Sequence, residues 1–100
     1  MAPVIRSFSD PGTEDVFEGT STKEARAVCP MDLWAIARRK LDQLNRVRDL
    51  ADLAVPPGNR LERLKGDRSG QHSIRINQQY RVCFTWKDGH ADEVEIVDYH

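Results

Sequence analysis

The sequence predicts an α+β domain in which an N-terminal strand and two to three helices pack on a mainly antiparallel β-sheet. Apolar residues recur at helical spacing over residues 30–47 and alternate with polar residues over 72–86. Pro56-Pro57-Gly58 separates the two patterns, so the apolar period changes once along the chain. The expected element order is β-α-α-β-β-β-β, in a chain of 100 residues with room for a single core.

The first predicted elements are a strand and a short helix. Residues 4–8, VIRSF, have the composition of a strand. The tripeptide Asp-Pro-Gly at 10–12 favours a turn, Thr13 can cap a helix, and Gly19 would end that helix.

The clearest helix covers residues 30–47, where Pro30 suits a first helical turn. Its apolar positions are Leu33, Trp34, Ile36, Ala37, Leu41, Leu44 and Val47. A shorter helical turn is expected at 48–55, with Leu50 and Leu53 facing inward.

In the C-terminal half, alternation predicts which side chains share a face of the sheet. The apolar face of one strand is Tyr80, Val82, Phe84 and Trp86. Arg81 therefore points away from the helices, and the same rule turns Arg75 away from Ile74 and Ile76. The face opposite the helices is expected to carry both arginines, either as a phosphate-binding surface or as a solvated one.

The last predicted strand, residues 92–99, contains a conflict of parity. In a regular strand Ile96 shares its face with Asp98 and His100, whereas Tyr99 lies on the other face. Either the strand twists or bulges at its end, or the core side is that of Tyr99.

The composition is that of a soluble globular protein, with 39% hydrophobic and 31% charged residues. No apolar stretch approaches the roughly 20 residues of a membrane span, and the N-terminus does not read as a signal peptide, so a cytoplasmic protein is expected. Cys29 and Cys83 lack CxxC and metal-ligand spacing. Two reduced thiols are predicted, with a disulfide or a metal role as the alternative.

The net charge of −1 conceals an uneven distribution. Residues 1–37 carry −3, residues 38–81 carry +6 with 11 basic residues, and residues 82–100 carry −4. A basic block rich in arginine favours a patch for polyanions. The alternative is a solvated surface whose charges pair within the molecule.

The stretch LKGDRSGQHSIRINQQYRVCFTW, the opening IRSF and the ending VEIVDYH carry a family resemblance. Together they resemble HigB-type toxins of the RelE/ParE superfamily, also called plasmid maintenance system killer proteins. The resemblance covers residues 5–100 and leaves residues 1–4 as a short N-terminal extension of a single RelE/HigB-like domain.

The resemblance implies a toxin of a type II toxin-antitoxin system that cuts mRNA on the ribosome and so inhibits translation and growth. Such endoribonucleases use no metal and no other cofactor, since the RNA 2′-OH attacks the neighbouring phosphate. The implied partners are a helix-turn-helix antitoxin of the HigA type, the ribosome and mRNA, with operator DNA reached only through the antitoxin and no membrane.

The resemblance also implies a set of catalytic residues: His100, Asp98, Tyr99, Arg81, Lys65 and Glu62. His100 is the candidate for acid–base work, because an ordinary histidine has a pKa of about 6.5. Arg81 and Lys65 would stabilise the phosphorane, Asp98 would orient the imidazole, and Tyr99 would stack on a base or hydrogen-bond phosphate. The residues expected to bind RNA or the ribosome are Arg75, Arg60, Arg63, Arg68, Arg38, Arg39 and Lys40.

Glu62 departs from the family pattern, since many HigB-like toxins carry a histidine three residues before the lysine of LKG. The neighbours Arg60, Arg63 and Lys65 favour the ionised form of a glutamate, which weakens it as a base. Two alternatives stay open. One is a ParE-like poison of DNA gyrase, and the other is a weakened nuclease that acts mainly as an antitoxin-bound corepressor.

Overall fold

The computed structural model describes residues 3–99 and confirms the α+β fold. Its helices are α1 (Pro11–Glu18), α2 (Lys23–Val28) and α3 (Trp34–Leu44). Its strands are β1 (Glu62–Arg63), β2 (Gln71–Arg75), β3 (Tyr80–Lys87) and β4 (His90–Asp98). Short 3₁₀ turns lie at Met31–Leu33, Leu50–Ala54, Pro57–Asn59 and Gly66–Arg68. Within residues 3–99, no helix is long and apolar enough to cross a lipid bilayer.

The strands form an antiparallel meander in the order β1-β2-β3-β4. Asp88 and Gly89 join β3 to β4, and their φ angles of 54° and 77° are the positive pair that a type I′ hairpin turn requires. The N-terminal segment is extended but is not a full strand. Within the described residues it pairs with β4 at two isolated parallel bridges, of which the first joins Ile5 to Ala91.

Helix α1 begins at an aspartate and ends at a glycine. The prediction of a Thr13 cap is wrong, because Asp10 is the N-cap and accepts a hydrogen bond from the Thr13 N–H at 2.6 Å. Thr13 is instead fully buried, and its hydroxyl accepts a hydrogen bond from the Ile96 N–H at 2.9 Å. This bond ties α1 to β4. Gly19 ends the helix as predicted, with a φ of 77°.

The core lies between the helices and one face of the sheet. The fully buried residues that α3 and β3 contribute to the core cluster are Ala37, Leu41, Leu44, Val82 and Phe84. The helix predicted over 30–47 is shorter than expected, because α3 begins at Trp34 after a 3₁₀ turn and ends at Leu44. Leu53 is fully buried, as expected, whereas Leu50 is only half-buried.

Helix α2 does not occur in the predicted element order. It has six residues, is capped by the Thr22 hydroxyl, and buries only Ala25. One buried side chain gives no apolar period, so the pattern that identified the longer helix is absent here.

In β4 it is Ile96 that faces the core, with 5% of its surface exposed, and this resolves the parity conflict. The strand does bulge, but at Glu93 and not at its end: Glu93 has a φ of 52°, and the register with β3 shifts between Cys83 and Thr85. Asp98 keeps the parity of Ile96 but lies past the edge of the core, where it is exposed.

Candidate functional site on the helix-free face

The sheet surface turned away from the helices is called the helix-free face and is formed by Ser73, Arg75, Arg81, Cys83, Glu95 and Val97. The register aligns Arg75 with Arg81 and Val97 in one row across the sheet. The next row begins with Glu62 on β1 and continues through Ser73 and Cys83. The alternation in the sequence therefore predicted the side of the sheet on which both arginines lie.

Arg81 is held in place at the middle of this face. Its Nη1 donates a hydrogen bond to Ser73 Oγ at 2.8 Å, and its Nη2 donates to Glu62 Oε1 at 3.0 Å. Its Cζ lies 5.2 Å from the centroid of the Tyr99 ring, a cation–π distance. Only 11% of the side chain is exposed. The guanidinium is therefore preorganised. Its bond to the Glu62 carboxylate can be replaced by a bond to solvent, because the Glu62 side chain is 49% exposed.

Arg75 lies directly opposite Arg81 on the neighbouring strand. Like charges in this arrangement repel each other unless an anion or a carboxylate lies between them. Within residues 3–99, the Arg75 Nε is buried and has no hydrogen-bond partner. The two guanidinium groups thus form a cationic row that can take an anion such as a phosphate.

Lys65 lies in the connection between β1 and β2, where it is exposed and precedes the 3₁₀ turn Gly66–Arg68. It follows Leu64, which is 6% exposed and belongs to the core. The Leu64 N–H donates a hydrogen bond to the Gln71 carbonyl at 2.9 Å, which closes the base of this connection. Lys65 is therefore tethered at one end to the sheet edge that carries Glu62.

The end of β4 separates the predicted terminal residues. Tyr99 belongs to the helix-free face beside Arg81, and its N–H donates to the Gln79 carbonyl at 2.7 Å. Asp98 has the opposite parity and accepts a hydrogen bond from Gln79 Nε2 at 3.0 Å. His100 lies outside the described residues 3–99, so its predicted role rests on the sequence.

Arg68, which was predicted from the sequence to bind RNA or the ribosome, also lies on the helix-free face. Its Nη1 donates to Glu95 Oε1 at 2.8 Å and to Gln71 Oε1 at 3.0 Å, and the bond to Glu95 raises the pKa of the guanidinium. Sequence reasoning missed Ser73 and Glu95. Alternation could have placed both on this face, but their arginine partners depend on strand register.

The remaining basic candidates divide by their exposure. Arg38, Arg39, Arg60 and Arg63 are exposed. Lys40 has a structural contact instead, because its Nζ donates a hydrogen bond to Oδ1 of the fully buried Asn59 at 2.5 Å.

The described part of the chain holds no group of three or more His, Cys, Asp or Glu residues that could bind a metal ion. Cys29 and Cys83 are free and buried, and burial raises the pKa of each thiol to about 11. The disulfide alternative is therefore wrong. Two buried, protonated thiols are poor nucleophiles at neutral pH.

Comparison with known proteins gives the class of fold first. The YoeB-YefM toxin-antitoxin complex from Staphylococcus aureus, in two structures, contains a chain that matches with TM-scores of 0.52 and 0.53 at 18% identity. Each alignment covers 96% of this chain and 97% of the other. At this identity the likeness shows the fold alone.

Sequence comparison then gives the family. The model of the HigB-like toxins, described as RelE-like toxins of type II toxin-antitoxin systems, matches residues 6–100. Toxin HigB-1 of Vibrio cholerae serotype O1 is 40% identical over 84 residues, which are 84% of this chain and 85% of that protein. An uncharacterized protein of Haemophilus influenzae is 32% identical over 65% of this chain and 64% of its own length.

The chain belongs to the HigB-like toxin family and is a RelE-like toxin of a type II toxin-antitoxin system. The resemblance to HigB-type toxins is thereby confirmed, and the ParE-like alternative is not favoured. Membership in a two-component family supports an antitoxin as the partner of this chain.

Proposed function

We propose that this toxin is a metal-independent, ribosome-dependent mRNA endonuclease that inhibits translation and growth in the cytoplasm. The observation that carries the proposal is the pair of facing arginines, Arg75 and Arg81, with the Glu62 carboxylate 3.0 Å from Arg81. A guanidinium row suits a phosphodiester, and a carboxylate beside it can accept the proton of a 2′-OH. Both features lie on one face, where a single RNA strand could contact them together.

In the proposed reaction the RNA 2′-oxygen attacks the adjacent phosphorus and the bond from phosphorus to the 5′-oxygen breaks. Glu62 takes the proton of the 2′-OH, and His100 gives a proton to the leaving 5′-oxygen. Arg81 and Lys65 stabilise the added charge of the phosphorane. The products are a 2′,3′-cyclic phosphate and a 5′-OH, so all atoms and protons are accounted for without a metal.

The other residues of the site have binding roles in this proposal. Arg75 contacts the phosphate backbone. Tyr99 stacks on a base and also makes the cation–π contact with Arg81. Asp98 orients the imidazole of its neighbour His100. Asp98 is two residues after Ile96, the buried residue that anchors this end of β4.

Contacts with larger partners use the exposed basic residues. We expect ribosomal RNA phosphates to be contacted by Arg38 and Arg39 on α3, by Arg60 before β1 and by Arg63 in β1. The proposed antitoxin is a helix-turn-helix protein of the HigA type, through which the toxin would reach operator DNA.

The test is cleavage of a defined mRNA by the purified toxin on translating ribosomes, read by primer extension. We expect cuts within the translated region and none when ribosomes are omitted. DNA gyrase supercoiling is measured in parallel as the control for the other class of target. Intact mRNA together with inhibited gyrase would overturn the proposal.

A further inference from the structure

The connection between β1 and β2, called here the 65–70 loop, is fastened to the sheet by one side chain among the contacts of residues 3–99. Of its six residues, Arg68 is the one that is not exposed, with 31% of its side chain accessible. The loop contains Gly66 and Gly70, with φ angles of 64° and 92°, and apart from the adjoining residues nothing described lies within 4 Å of where a Cβ would be at either position. Apart from its closed base, the loop is therefore held by Arg68 within the part of the chain that the structure describes.

Arg68 reaches across three strands. Its two acceptors are Gln71 on β2 and Glu95 on β4, and β3 runs between them. Glu95 is paired with Cys83 on β3, so the bond between Arg68 and Glu95 lies beside this thiol on the same face of the sheet. Cys83 is fully buried although it belongs to the face without helices, and the charge of Arg68 acts on it directly. The Arg68 side chain is therefore placed to shield Cys83 from solvent.

The same turn contains Lys65, the proposed phosphate ligand. The Arg68 N–H donates a hydrogen bond to the Lys65 carbonyl at 3.3 Å, so the two residues share one 3₁₀ turn. Leu64 anchors the loop on one side of Lys65, and Arg68 anchors it on the other. The position of Lys65 relative to the helix-free face therefore depends on the bond between Arg68 and Glu95.

We infer that Arg68 and Glu95 are positioning residues, whose ion pair straps the 65–70 loop across the sheet and holds Lys65 over the phosphate site. The consequence for catalysis rests on the proposed function, whereas the strap itself does not. An ion pair between partly exposed groups contributes little to global stability, so its loss frees the loop and leaves the fold intact.

The strap is tested by alkylation of the full-length toxin with iodoacetamide at pH 8, with each cysteine followed by peptide mass spectrometry. In the Glu95→Gln and Arg68→Met proteins, Cys83 is expected to react about 10-fold faster than in wild type, because the freed loop exposes this thiol more often. Cys29, buried at 2% exposure in the core cluster, is the internal control and should react at its wild-type rate. Asp92→Asn removes the ion pair with Arg6 at the other edge of the sheet and should change neither rate.

The role in catalysis is tested by the kcat for cleavage of ribosome-bound mRNA. Glu95→Gln is expected to lower kcat about 10-fold, since small displacements of a catalytic group carry such costs. In a Lys65→Met background the same change should have no further effect, because the strap acts through Lys65.

Three outcomes would overturn the inference: an unchanged rate for Cys83, an equal acceleration of both cysteines, or an undiminished effect of Glu95→Gln in the Lys65→Met protein. Intact mRNA with the wild-type toxin would instead overturn the proposed function. Selective labelling of Cys83 would then still support the strap.

Discussion

Replacement of His100 by alanine is expected to lower mRNA cleavage by about 10³-fold, because a positioned general acid contributes roughly 10² to 10⁴ to the rate. The leaving 5′-oxygen of RNA is strongly basic and needs a proton as the bond to phosphorus breaks. His100 directly follows Tyr99, whose ring lies against Arg81, and the proposed role of the imidazole as the acid rests on the sequence. Growth inhibition and primer extension measure the loss.

The control for this change is His90→Ala, which removes a histidine at the opposite end of β4 and should leave cleavage unaltered. Binding of the antitoxin should survive in both variants. Full cleavage by the His100→Ala protein would rule out the acid–base role of this residue. Loss of antitoxin binding would show instead that the substitution damages the fold.

Arg81→Met is expected to lower kcat by about 10²- to 10³-fold, the usual cost of removing one preorganised donor to a transition-state oxyanion. The guanidinium is fixed by Ser73, Glu62 and the Tyr99 ring, so the stabilising charge is in position before substrate arrives. Arg81→Lys should recover part of the rate, since it keeps the charge but lacks the planar fork. Single-turnover cleavage on stalled ribosomes is the measurement.

Arg26→Met serves as the matched control, because Arg26 is an exposed arginine of α2 on the helical side of the molecule. Thermal unfolding of all three variants shows whether the rate loss comes from the site. An Arg81→Met protein that cuts at the wild-type rate, with an unchanged melting temperature, would remove Arg81 from the phosphate site.

Much of the fold follows from two periods in the sequence. The helical spacing around Leu41 and Leu44 and the alternation from Ile74 to Trp86 predict the core and the side of the sheet that carries Arg75 and Arg81. Helix α2 was not predicted, because its single buried alanine cannot produce a repeating apolar pattern. The bulge at Glu93 was not predicted either, because a positive φ is rarely adopted by glutamate and leaves no mark in the sequence.

The site was harder to predict than the fold, because its geometry depends on register. The basic block left two interpretations open, a polyanion patch and a set of internally paired charges. Both apply in part: Arg81 and Arg68 carry carboxylate partners, Glu62 and Glu95, while the Arg75 Nε has none within the described residues. A one-residue shift of β2 against β3 would have separated these groups, and no periodicity fixes such a shift.

Glu62 shows how the structure refines an expectation from the sequence. The basic residues near it in the sequence suggested a weakened base. In the structure its carboxylate is instead bonded, at 3.0 Å, to Arg81, which is far from it in the sequence. A phosphate that binds Arg81 competes with this carboxylate and would release it next to the 2′-OH. The bonded carboxylate is thus compatible with the proposed role as base.

The proposed reaction requires the 2′-oxygen of ribosome-bound mRNA to attack its own phosphate on the helix-free face. This attack is tested with an mRNA that has a single 2′-deoxy nucleotide on the 5′ side of a mapped cut, translated beside the unmodified message. Cleavage at that phosphate should disappear while neighbouring cuts persist. Continued cleavage at the 2′-deoxy position would contradict the claim, because the nucleophile would then have to come from elsewhere.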